Sequence, residues 1–167
     1  MEQLHYTDEY ISKILRTTQT IAMVGASANW VRPSHFAMKY LQLKGYRVIP
    51  INPRAAGDTL LGERVYGSLA EVPEPFQMVD IFRNSEAALA ITQEAISVAE
   101  EKQIKTIWMQ LTVRNDEAKQ LAEKADLNVV MDRCPKIEFG RLHGELSWSG
   151  VNTKIISAKR LKVRISG

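Results

Sequence analysis

The sequence predicts a doubly wound α/β domain, with a mainly parallel sheet of about five strands and helices on both faces. Three observations predict it. Short apolar runs alternate with longer helix-patterned segments from Ile21 to Met131, which is the rhythm of strand–helix–strand units with right-handed crossovers. The runs are continuously apolar, as in strands buried on both sides of a parallel sheet. Polar cap residues precede the helical segments and a glycine follows one of them.

In chain order, Thr7 caps a short amphipathic helix over Asp8 to Arg16, with Ile11, Ile14 and Leu15 on one face. Ile21 to Ala26 reads as the first strand. Pro33 suits the first turn of the next helix, because its fixed φ is helical and its missing N–H is not needed there. That helix presents Phe36, Met38, Tyr40, Leu41 and Leu43, and Gly45 stands where a left-handed residue would end it. Tyr46 to Ile51 is the second strand, stopped by Asn52-Pro53. A loop over 62–73 leads to a third strand, Gln77 to Phe82. Ser85 caps a helix running to about Lys102, Thr106 to Leu111 is the fourth strand, and Asn115 caps the helix after it. Asn128 to Met131 is the fifth strand, leading into the segment Asp132 to Glu138. No internal repeat, low-complexity stretch or linker interrupts this order, so residues 1–150 read as one domain and residues 151–167 as a basic tail.

The chain has 167 residues, of which 45% are apolar and 25% charged, which suits one globular domain with an ordinary core. No run is long and apolar enough for a membrane span, and the acidic N-terminus does not resemble a secretory leader. One cysteine, Cys134, excludes an internal disulfide, and no Cys or His cluster suggests a metal. A cytoplasmic protein without a membrane partner is the expectation. The net charge of +3 is uneven: Lys154, Lys159, Arg160, Lys162 and Arg164 lie in the tail, and subtracting these five from 22 leaves 17 basic against 19 acidic residues. A basic tail on a slightly acidic body is not the footprint of a nucleic-acid-binding domain.

In an open parallel sheet, ligands bind beyond the carboxyl ends of the strands, where the strand order reverses. Gly25, Ala26 and Ser27, after the first strand, allow a diphosphate close to the backbone, and the helix starting at Arg32, Pro33 and Ser34 attracts its charge. The dinucleotide fingerprint G-x-G-x-x-G is not met, since Ser27 and Trp30 occupy its second and third glycine positions. After the second strand, Asn52-Pro53-Arg54 lacks the carboxylate that would bind the ribose hydroxyls of NAD. Arg54, with Arg32 as a second candidate, suits a ribose phosphate such as that of NADP or coenzyme A (CoA). Polar residues also follow the later strands, Arg83-Asn84 after the third, and Gln110 then Thr112 after the fourth. Trp108 and Met109 read as core.

Taken together, Val24-Gly25-Ala26-Ser27, Arg32-Pro33-Ser34-His35, the run from Gly45 to Pro53, Val79 to Arg83, Trp108 to Leu111 and Val130 to Glu138 resemble the small stand-alone CoA-binding proteins. These are similar to the N-terminal domain of the succinyl-CoA synthetase α subunit. The likeness covers about residues 8 to 143 and implies a Rossmann-like fold that binds CoA or an acyl-CoA. Carried onto this chain, it implies contacts from Gly25, Ala26, Ser27 and the loop to Arg32, from Asn52, Pro53 and Arg54, from Phe82 and Arg83, and from Gln110. The synthetase's lysine after the second strand is not matched, and Arg54 is given its phosphate role by inference. The synthetase's second domain, with its phosphorylated histidine, is also unmatched, and neither His35 nor His143 corresponds to that histidine.

The sequence thus points to a binding module with no legible nucleophile–base or acid–base pair. Two other readings stay open: an NADP-linked oxidoreductase or small acyl-CoA-processing enzyme, and a protein-interaction module with a vestigial site. Cys134, flanked by Arg133 and Lys136, raises a further possibility, a mixed disulfide with CoA. Asp132, Lys136 and Glu138 read either as a polar cluster or as a salt-bridged turn.

Overall fold

In the computed structural model, which describes residues 4–143, Thr7 accepts a hydrogen bond from the Tyr10 amide at 3.0 Å and starts helix α1 (Asp8–Thr17). Strand β1 (Thr20–Val24) follows and ends where Gly25 turns left-handed at φ 94°. Helix α2 (Pro33–Leu43) begins on Pro33 as expected, and Gly45 takes φ 98° beyond its end. Strand β2 (Arg47–Ile51) runs into a single 3₁₀ turn, Pro53–Ala55, capped by Asn52.

Next comes a hairpin that the sequence did not signal, β3 (Thr59–Leu60) and β4 (Glu63–Arg64). Its turn places Leu61 and Gly62 both at positive φ, and Leu-Gly lacks the Asn-Gly or Asp-Gly signature of such turns. Strand β5 (Met78–Ile81) precedes helix α3 (Ser85–Ser97). Asn84, not Ser85, is the N-cap here, accepting from the Ala87 amide at 2.7 Å. The single helix expected to Lys102 is divided at Val98 (φ −117°, ψ 11°), beyond which α4 (Ala99–Lys102) adds one turn. Strand β6 (Thr106–Met109), helix α5 (Asp116–Lys124, capped by Asn115) and strand β7 (Asn128–Val130) follow. The last segment, read from the sequence only as a turn, forms helix α6 (Pro135–His143). The basic tail and the proposed domain limit at residue 150 lie outside the described residues.

The main sheet is parallel throughout, in the order β2-β1-β5-β6-β7. The chain builds outward from β1 to β2, then returns to the other side of β1, so the order reverses between β1 and β5. Alternate strand residues feed two cores. Ala22, Val79, Ile81, Ile107 and Val129 pack beneath α3 and α5, with Ala88, Ala95, Ala118 and Ala122 supplying close helix contacts. On the opposite face, Ile21, Met23, Met78, Trp108 and Val130 meet Ile11 and Leu15 of α1, Met38 and Leu41 of α2, and Phe139 of α6. Trp108 is core as expected, its indole N–H donating to the Arg133 carbonyl at 2.9 Å.

One polar group breaks the second core. Asp80, in β5, stands between Met23 and Trp108 in the sheet register, fully buried, with neither carboxylate oxygen hydrogen-bonded. Burial pushes its carboxyl well above the ordinary carboxylate value.

Candidate functional site

The reversal between β1 and β5 opens a cavity of about 1070 Å³ above the strand ends, at the top of the range for ligand pockets. Gly25 forms its floor. The Gly25 amide donates to Ile51 O of β2 at 3.0 Å, while Val24 O accepts from the Phe82 amide at 2.8 Å, so β1 is pinned on both sides. A Cβ at Gly25 would lie 2.4 Å from Phe82 O and 3.1 Å from Arg83 Cδ. The sequence supplies glycine here because both the left-handed backbone and the adjacent backbone at the end of β5 exclude a side chain.

The loop after Gly25 is held by its own turns. Ser27 Oγ accepts from the Asn29 amide at 3.0 Å, and Asn29 Oδ1 accepts from the Val31 amide at 3.2 Å. Asn52 locks this loop to the end of β2: its Nδ2 donates to Ala26 O and its Oδ1 accepts from the Arg54 amide, both at 2.9 Å. Helix α2 then opens at the cavity with no side-chain cap on its first turn, leaving its N-terminal dipole directed at whatever the cavity holds.

The cavity brings together all twelve residues singled out from the sequence: Gly25, Ala26, Ser27, Arg32, Pro33, Ser34, Asn52, Pro53, Arg54, Phe82, Arg83 and Gln110. Asn84 and Thr112, noted in the sequence only as polar residues at strand ends, line it too. Ser85, Leu111 and Val113 were not singled out; they follow strand ends whose apolar or capping character carried no ligand signal.

Three guanidiniums, those of Arg32, Arg54 and Arg83, line the cavity and are exposed. Among the described residues none of the three has an ion pair. The lining contains no Asp, Glu, His, Lys or Cys. Gln110 is only 8% exposed, and its Oε1 is buried without a hydrogen-bond partner, an acceptor that a ligand N–H or O–H would satisfy.

The wall beyond Gln110 is strained. Thr112, a β-branched residue, sits at φ 71°, and Asp132 opposite it at φ 58°. Asp132 Oδ1 accepts from the Thr112 amide at 2.7 Å, and the Asp132 amide donates to Val113 O at 3.1 Å. Ser85 Oγ joins the same wall by accepting from the Arg114 amide at 2.9 Å. We expect Asp132→Ala to cost about 2 kcal/mol in urea unfolding, from the lost charge-assisted bond and the left-handed backbone. Asp132→Asn, which keeps a neutral acceptor for the Thr112 amide and tolerates the left-handed backbone, should lose clearly less.

The residues beside Cys134 do not form the arrangement raised from the sequence. Cys134 is buried and outside the cavity lining. Arg133 donates to the carbonyls of Asp132 and Leu4, away from that thiol. Nor do Asp132, Lys136 and Glu138 cluster: Asp132 holds Thr112, Glu138 pairs with Arg141 at 2.7 Å, and the Lys136 ammonium lies over the Tyr40 ring.

Residues 19–140 match the CoA-binding domain family. The chain belongs to that family. The Bacillus subtilis protein YneT is 35% identical over 127 residues, covering 76% of this chain and 90% of YneT. A solved protein of Pyrococcus horikoshii OT3 is 35% identical with a TM-score of 0.75, covering 85% of this chain and 99% of its own. An acetyl-coenzyme A synthetase of Ca. Korarchaeum cryptofilum, 21% identical with a TM-score of 0.54, shares the fold over 66% of this chain and 25% of its own. As a member of the CoA-binding family, the chain has the Rossmann-like α/β architecture, and its small-molecule partner is of the CoA type. Among the described residues no helix is long and apolar enough to cross a membrane.

Proposed function

We infer that this cavity binds CoA or an acyl-CoA, and that the protein acts as a binding module without a reaction of its own. One observation carries the reading: three unpaired arginines share a cavity with an uncapped helix N-terminus and no carboxylate. That is a site for a ligand with several phosphates. In this reading the diphosphate lies over Gly25–Ser27 and the start of α2, beside Arg32. The 3′-phosphate meets Arg54, beyond β2. The pantetheine arm runs across Phe82 toward Gln110, whose orphaned Oε1 accepts from an amide N–H of that arm.

The absence of a reaction rests on the lining. Its hydroxyls, on Ser27, Ser34, Ser85 and Thr112, have no His, Lys, Cys or carboxylate beside them in the cavity to take up a proton. Cys134, buried and away from the lining, is not positioned for exchange with the ligand thiol. A single unpaired cysteine fits the cytoplasm as the protein's compartment.

Titration calorimetry with CoA, dephospho-CoA, NADP and NAD tests the reading. CoA should bind tightest, and removing its 3′-phosphate should weaken binding by about ten- to a hundredfold, the range of a lost charge-assisted contact. Arg54→Ala should lose that same increment for CoA and little for dephospho-CoA. Tight NADP binding with none for CoA would favour an oxidoreductase, and no binding to any of the four would favour a vestigial site.

A further inference from the structure

Five of the six large apolar side chains that stand exposed among the described residues belong to α2, the loop before it, or α6, two helices that cover the same face of the sheet. Trp30 (69% exposed) and Val31 tip the loop before α2, Phe36 (52%) and Leu43 (67%) lie on α2, and Ile137 (51%) lies in the first turn of α6. Phe36, Tyr40 and Leu43 follow the i, i+4, i+7 spacing of one helix face. Tyr40 joins the two helices: the ammonium groups of Lys44 and Lys136 lie 5.4 and 5.2 Å from its ring centroid. Phe36, Leu43 and Ile137 are not part of the cavity lining, so the ligand site does not account for their exposure.

Around α2 the sequence carries charge of one sign, and the acids of this side lie apart, on α1 (Asp8, Glu9) and α6 (Glu138), where Asp8 and Glu138 pair with Arg141. Residues 10–57 contain no Asp or Glu but hold Lys13, Arg16, Arg32, Lys39, Lys44, Arg47 and Arg54. The helices across the sheet differ, with Glu86 and Glu94 on α3, Glu100 and Glu101 on α4, and Asp116 and Glu117 on α5. Beyond α6 the chain continues into residues 151–167, with five further cations and no acid.

We propose that the α2–α6 face docks on an anionic lipid surface. Phe36, Leu43, Ile137 and Trp30 enter the boundary between headgroups and acyl chains, while Lys39, beside them on α2, and Lys136 meet the lipid phosphates. Two features favour lipid over protein. The cations around the apolar residues are mainly lysines, which protein interfaces deplete, and the apolar residues are single protruding side chains. A second copy is disfavoured because the same face on both partners would set lysine against lysine. The expectation of no membrane partner rested on the lack of a spanning segment, and a peripheral contact needs none.

Co-sedimentation of the full-length protein with phosphatidylcholine vesicles, with and without phosphatidylglycerol, tests the proposal. Binding is expected only with phosphatidylglycerol and should weaken as salt rises. Reversing the exposed charge with Lys39→Glu should weaken it roughly thirtyfold, and Phe36→Ser with Leu43→Ser should reduce it further. The Lys39 variant and the double serine variant should both keep the wild-type circular-dichroism melting curve, because Lys39, Phe36 and Leu43 are exposed. Failure to bind phosphatidylglycerol vesicles, or equal binding by the wild type and both folded variants, overturns the proposal. Retention on an acidic protein column with none on vesicles also overturns it, in favour of a protein partner.

Discussion

Gly25→Ala should both destabilise the protein and abolish CoA binding. Alanine at φ 94° is strained wherever it occurs, and here its Cβ would lie 2.4 Å from Phe82 O, a backbone atom of the neighbouring strand. The clash has no cheap escape. Moving Phe82 breaks the hydrogen bond that its amide donates to Val24 O, and moving the loop breaks the one that the Gly25 amide donates to Ile51 O. Backbone strain and overpacking together cost about 2–5 kcal/mol. The displaced loop is also the one that carries Ala26 and Ser27 at the cavity floor. Thermal melting and CoA titration on the same sample check both effects. A variant that melts and binds like wild type would show that this turn tolerates a side chain.

The second large effect concerns pH. Asp80 is fully buried with no hydrogen-bond partner, and burial raises its carboxyl well above its ordinary value of 3.8. The folded protein therefore keeps the proton under conditions where the unfolded chain releases it. The stabilisation from this group is fully present below the unfolded value near 3.8 and is lost as pH rises through the folded value. Within that window stability falls by up to about 1.4 kcal/mol per pH unit. Asp80→Asn cannot ionise and should escape this loss. Chemical denaturation of both proteins across the acid-to-neutral range should give similar stabilities at the acid end and a widening advantage for Asp80→Asn as pH rises. A difference that does not change with pH would show that Asp80 ionises freely in the fold.

Much of the fold was legible because it rests on local rules. Thr7, Pro33, Gly45 and Asn115 mark helix ends by cap chemistry that acts within a few residues, and each does so in the structure. The cavity was legible for a different reason: in a parallel sheet, loop residues after the strands converge at one edge, so strand ends from Gly25 to Gln110 could be gathered before their contacts were known. What escaped depends on longer-range packing. The β3–β4 hairpin has two-residue strands, too short for a periodicity, and its β4 side rests against β2 through the bridge between Ile51 and Tyr66. Helix α6 begins in a proline-containing turn and is held by Phe139 against Tyr40 and Tyr46, partners nearly a hundred residues away. The bond from the Thr112 amide to Asp132 likewise joins two loops, and no pattern in either loop announces it.

Arg32, Arg54 and Arg83 share one cavity without a carboxylate, and guanidiniums so placed repel one another. The fold carries that tension itself, and any anion that enters relieves part of it. Salt ions therefore act as competitors as well as a screening medium, so affinity for a phosphorylated ligand depends on the ionic composition of the surroundings. Charge of this kind holds ligands strongly but distinguishes them poorly, since sulfate, phosphate and nucleotides all answer it. Discrimination falls to the uncharged half of the cavity, where Phe82 offers shape and Gln110 asks for a single hydrogen-bond donor.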